Sequence, residues 1–127
     1  MRMPSPYRPI EIREATFEAF DLPQIAKELI EDETFRKSGR VARTLVRSEQ
    51  MTVVLTAVAE GVEIHEHNSI GPILISVLSG AIVVSVEAKS AERSLPEGSA
   101  AVLSPDCAHR VKGKVDSAFL IVFGGKK

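Results

Sequence analysis

Two hydrophobic periods divide the chain near residue 39. Before it, Leu22, Ile25, Ala26, Leu29 and Ile30 recur at three- and four-residue spacing, which gathers them on one face of a short helix. Asp21 stands where an N-cap belongs, Pro23 lies in the first turn, and Gln24 occupies the capping-box position. The pattern ends at Glu31, Asp32 and Glu33, a run that reads as a solvated turn rather than a cation site.

From Arg40 onward the period is two. Val41, Arg43 and Leu45 alternate with Ala42, Thr44 and Val46, and Met51, Val53, Leu55 and Ala57 alternate with Thr52, Val54, Thr56 and Val58. Shorter apolar runs follow at Ile73 to Leu78, Ala81 to Val86, Ala100 to Leu103 and Ala118 to Phe123. Turn residues bound each of them, most clearly Ser79-Gly80 and Pro96-Glu97-Gly98. Many short strands with no helix between them cannot form βαβ units, so they pair antiparallel. The fold class expected is all-β, an antiparallel jelly-roll β-barrel preceded by a short N-terminal helix. The division expected is an arm and helix over 1–38 and a barrel over 39–127, together one structural domain.

Composition agrees with one compact core. The chain has 127 residues, 44% hydrophobic and 26% charged, which fits an ordinary globular domain and excludes collagen-like or disordered classes. Sixteen Lys and Arg against seventeen Asp and Glu give a formal net charge of -1, so the positive field that nucleic acid requires is missing and no such partner is expected. Trp is absent, and the core falls to Val, Ile, Leu and Ala. The single cysteine, Cys107, cannot form an internal disulfide, and the N-terminus lacks the apolar region of a secretory signal; a cytoplasmic location is expected. The uncharged stretch from His67 to Val86 is broken by Gly71-Pro72 and Ser79-Gly80, which suits two strands better than a membrane span.

Three histidines carry the candidate chemistry. His65 and His67 lie two apart at the end of a strand, so they share a face, with Glu63 on the same side and Glu66 opposite. His109 follows the turn Pro105-Asp106-Cys107-Ala108 and begins another strand, from which it can approach the pair across a barrel lumen. Imidazole nitrogens converging on one ion suit zinc, iron, nickel, copper or manganese, and three of them leave positions open for water or substrate. Glu63 is a candidate catalytic base beside such a site. Cys107 reads as a small buried hydrophobe near the pocket, and Arg110 and Lys112 as a solvated strand face.

From Met51 to Phe123 these landmarks resemble the cupin superfamily, in particular its small single-domain members. The first family motif is matched by Gly61, His65-Glu66-His67 and Gly80, although the segment from Asn68 to Ile73 carries no carboxylate where the family has a Glu. In the second motif Gly98 and His109 stand in register, with Ser104, Asp106 and Gly113 in place of the usual Pro, Gly and Asn. The resemblance implies a divalent transition metal held by His65, His67 and His109. It further implies action on a small oxygen-rich molecule, of dioxygenase, isomerase or decarboxylase type, and a homodimer. The missing Glu keeps open a metal-free cupin that binds or senses a small ligand among the same residues, and a purely structural barrel is a third possibility.

Overall fold

The computed structural model describes residues 8–66 and 71–124. Helix α1 spans Leu22–Ile30, with the Asp21 carboxylate accepting from the Gln24 backbone N–H at 3.2 Å and Pro23 in the first turn. A second helix, α2, spans Glu33–Ser38. Asp32 caps it by accepting from the Thr34 N–H at 2.7 Å, and Gly39 closes it at φ 78°. The middle of the acidic run is therefore a helix start as well as a turn. Its periodicity is illegible in sequence because Phe35 is the one buried residue α2 contributes.

Nine strands follow among the described residues: β1 Arg40–Arg47, β2 Met51–Val58, β3 Glu63–Glu66, β4 Ile73–Ser79, β5 Ala81–Val86, β6 Ala91–Pro96, β7 Ala100–Leu103, β8 His109–Gly113 and β9 Ser117–Gly124. They form a five-stranded sheet ordered β1-β2-β9-β4-β7 and a four-stranded sheet ordered β3-β8-β5-β6, with every ladder antiparallel. The predicted all-β barrel with a short N-terminal helix is what the chain forms. β6, with the sequence Ala-Glu-Arg-Ser-Leu-Pro, had no apolar alternation to reveal it; it is an edge strand whose one buried side chain is Leu95.

The two sheets close on a common core. Val58, Ile73, Ile75, Val77, Phe119, Ile121 and Phe123 of the larger sheet meet Ile82, Val84, Leu95 and Val111 of the smaller. The other face of the larger sheet is also apolar, and there Ile25, Ala26 and Leu29 of α1 and Phe35 of α2 pack on Leu45, Val53, Leu55, Ala57 and Ala118. This double coverage explains why β2 is hydrophobic in both phases: Val54 and Val58 belong to the barrel, Val53 and Leu55 to the layer beneath the helices. Among the described residues, the arm before α1 adds one parallel bridge, Ile10 to Val46.

Gly80 makes the predicted tight turn between β4 and β5. A Cβ there would collide with the Ser117 hydroxyl, and its φ of 79° is one that other residues rarely adopt. The fully buried Ser117 hydroxyl in turn accepts from the Ala81 N–H at 3.0 Å, fastening the turn to the start of β9.

Candidate functional site

The short strand β3 decides which residues face the lumen. It pairs with β8 through Glu63↔Lys112, Ile64↔Val111, His65↔Arg110 and Glu66↔His109. Val62 and Ile64 pack against the barrel core, which puts the odd positions on the outer face. Val62 and Ile64 are half-buried there and gain part of the about 1.5–3 kcal/mol that full burial of a branched side chain brings, whereas burying Glu63 would carry the cost of desolvating a carboxylate. Glu63 and His65 are brought together as the alternation predicts, with His65 Nε2 3.1 Å from Glu63 Oε1, but on the solvent side. Arg110 joins them, its guanidinium 3.5 Å from Glu63 and 3.3 Å from Glu87. The His65 side chain is 54% exposed, as a group on an outer sheet face should be.

His109 takes the opposite phase. It is 2% exposed and lies on β8, directly beside β3 in the same sheet rather than across the lumen from it. Its Nδ1 is 3.1 Å from the Cys107 carbonyl oxygen, which can only accept, so in the neutral ring the proton sits on Nδ1 and the lone pair on Nε2. Nε2 is buried and has no hydrogen-bond partner among the described residues. Cys107 is half-buried against the core, close to the expected small hydrophobe, and serves the histidine through its backbone. His67 lies outside the described residues. The structure thus joins Glu63 to His65 and separates both from His109 by the thickness of a strand.

Between the sheets lies a cavity of about 430 Å³, open on the side of β1. Its walls are Val41 and Ala42 from β1, Val54 from β2, Ile64, Val111, and the β9 side chains Phe119, Ile121 and Phe123; Arg40 and Thr56 are its polar members. Sequence reasoning missed both. The signal was present in principle, since Thr56 interrupts the inner-facing row of Val54 and Val58, but a lone threonine in a strand carries little weight until the wall opposite is known.

Two sheets closing on an apolar lumen, a covering helix and an inward histidine at the start of β8 define the architecture. The chain has the cupin fold. Its barrel superposes on a cupin superfamily protein from Desulfitobacterium hafniense with a TM-score of 0.64 and 18% identity, over 70% of this chain and 80% of that one. A conserved protein of unknown function from Streptococcus pyogenes aligns over 91% of this chain and 92% of its own, with a TM-score of 0.68 and 20% identity. A point mutant of salicylate 1,2-dioxygenase from Pseudoaminobacter salicylatoxidans gives a TM-score of 0.70 at 13% identity over 83% of this chain, which spans 34% of the enzyme. No protein-family model and no curated protein sequence matches the chain.

Cupin barrels of the dioxygenase kind prompt the question of a metal. Among the described residues no three histidine, cysteine or carboxylate side chains converge. Of the two described histidines, His109 turns its Nε2 to the inner face and His65 lies on the outer one, so these two as placed do not share an ion. No helix among them is long and apolar enough to cross a membrane.

Proposed function

We propose that this cupin binds a small, largely apolar molecule in its barrel lumen. The observation that carries the reading is the cavity itself: about 430 Å³, within the roughly 300–1,000 Å³ typical of ligand pockets, and walled by eight apolar residues. A packed core with no ligand to hold would ordinarily fill such a space with side chains. The test uses a neutral solvatochromic dye, Nile red, with the wild type and an Ala42→Trp variant. Ala42 lines the cavity from an exposed position, so the indole can occupy the mouth without overpacking the core. Dye affinity should fall at least ~10-fold with the melting temperature little changed; equal affinity in both proteins overturns the reading.

A second reading has one specific support, the buried and unpartnered Nε2 of His109. In it a divalent transition ion is held by His109 with His67 and His65, and Glu63 beside them serves as a base; the ion would supply Lewis-acid or oxygen-activating chemistry. This reading requires β3 to turn both Glu63 and His65 inward from the outer face they share. Metal content by plasma mass spectrometry should drop in His109→Ala and in His65→Ala if the reading holds. Unchanged content in both variants, or none in the wild type after incubation with each first-row ion, removes it.

The assembly we propose is a homodimer. Among the described residues, five of the six exposed large hydrophobic ones, Ile12, Phe17, Met51, Leu74 and Val102, belong to the arm or to outward positions of the larger sheet. The unpaired thiol of Cys107 suits a reducing cytoplasm.

A further inference from the structure

We infer that the lumen ligand carries a carboxylate or similar monoanion, seated on Arg40 and Thr56 at one end of an otherwise apolar cavity. The inference rests on the lumen being the binding site and names the class of molecule it takes.

β1 carries three arginines, and two of them, Arg40 and Arg43, stand in opposite phases and are treated differently. Arg43 faces the helices, is buried, and meets the Glu28 carboxylate at 3.0 Å. Arg40 lines the cavity, and its guanidinium has no ion-pair or hydrogen-bond partner among the described residues. The Thr56 hydroxyl, on a residue 7% exposed, likewise has no partner among them. The ladder brings the two within reach of one ligand. Thr56 lies directly opposite Ala42, so Arg40 is its diagonal neighbour on the same face, at a typical separation of about 7–8 Å between Cα atoms. A carboxylate between them can receive two parallel N–H donors from the guanidinium and one O–H from the threonine.

The remaining walls specify the part of the ligand beyond its headgroup. Val54, Ile64, Val111, Phe119, Ile121 and Phe123 offer no charge and no side-chain hydrogen bond, so the rest of the molecule must be hydrocarbon, aliphatic or aromatic. Arg40 is exposed, and an unneutralised cation at such a rim still attracts an anion roughly four-fold more strongly than in bulk water. The competing account is that Arg40 is a solvated charge at the end of a strand. It predicts no discrimination between charged and neutral ligands of one shape.

Octanoate and 1-octanol, which share a chain and differ in charge, separate the accounts by calorimetric titration or Nile red displacement. Wild-type protein should bind octanoate at least ~10-fold more tightly than octanol. Arg40→Gln should erase that preference, weakening octanoate at least ~10-fold more than octanol, and Arg40→Lys should restore part of it by keeping the charge without the planar fork. Melting curves of both variants check folding, which an exposed position should spare. Equal affinity for the two probes in the wild type, or an octanoate preference that survives Arg40→Gln, overturns the anion while leaving the apolar lumen standing. If neither probe nor dye binds, the lumen reading fails and this inference with it.

Discussion

Arg43 and Glu28 show how a single side chain ties the helix layer to the sheet. The arginine is buried on β1, and its hydrogen bond to the Glu28 carboxylate, aided by a second from Gln24, holds that carboxyl below the usual carboxylate range despite some desolvation. A carboxyl with a lowered pKa in the folded state contributes stability that is fully present above its unfolded value near ~4.3. That contribution is lost as the pH falls through the folded value. Glu28→Gln should therefore cost about 1 kcal/mol at pH 7, a modest figure because the Glu28 side chain is 39% exposed and screened by water. Thermal melts of the two proteins from pH 8 to pH 3 should converge at the acid end; a gap that persists at pH 3 would contradict the linkage. The sequence shows Arg43 only as a charge in an apolar strand. Its partner, fifteen residues earlier on a helix, becomes visible when the helix is docked.

Among the elements, α1 is a structural layer rather than an appendage. Its Leu29, 2% exposed, packs in the cluster with Leu55 and Ala118 of the sheet beneath. Leu29→Ala should leave a cavity and destabilise the protein by about 2–5 kcal/mol, within one cooperative urea transition common to helix and sheet signals. Two separate transitions would show that the helix layer unfolds apart from the barrel. The apolar period at Leu22 to Ile30 announces this helix, whereas α2 and β6 are silent because each buries one large side chain and leaves no periodic trace. At β3 the alternation is legible, but Val62 and Ile64, rather than Glu63 and His65, fix its phase by going into the core.

At the scale of the molecule, its two sheet faces have different fates. The helices cover the larger sheet over β1 and β2, but its far edge leaves Leu74 and Val102 exposed, and Phe17 of the arm is 93% exposed. A second copy laid on this face would cover what the chain itself does not. Light scattering at micromolar concentration should give twice the 13.8 kDa of one chain, and a Phe17→Ser, Val102→Ser double variant should shift the mass toward a single chain. A wild-type mass of one chain, or a variant that stays paired, would refute this face as the interface.

The class of the fold is legible in the chain before any contact is known. A period of two from Arg40 to Val58, followed by short apolar runs punctuated by Ser79-Gly80 and Pro96-Glu97-Gly98 with no helix between them, leaves antiparallel pairing as the way to satisfy so many short strands. The helix start at Asp21 is legible too, because capping is a local interaction between near neighbours. The lumen and its polar members were decided by tertiary structure alone. Whether Arg40 faces a cavity or solvent depends on which side of β1 meets the other sheet, and His65 faces outward because its neighbours Val62 and Ile64 find a core, supplied by residues far along the chain, to pack against. His109 is buried because β8 lies between β3 and β5, a pairing no local pattern near residue 109 encodes.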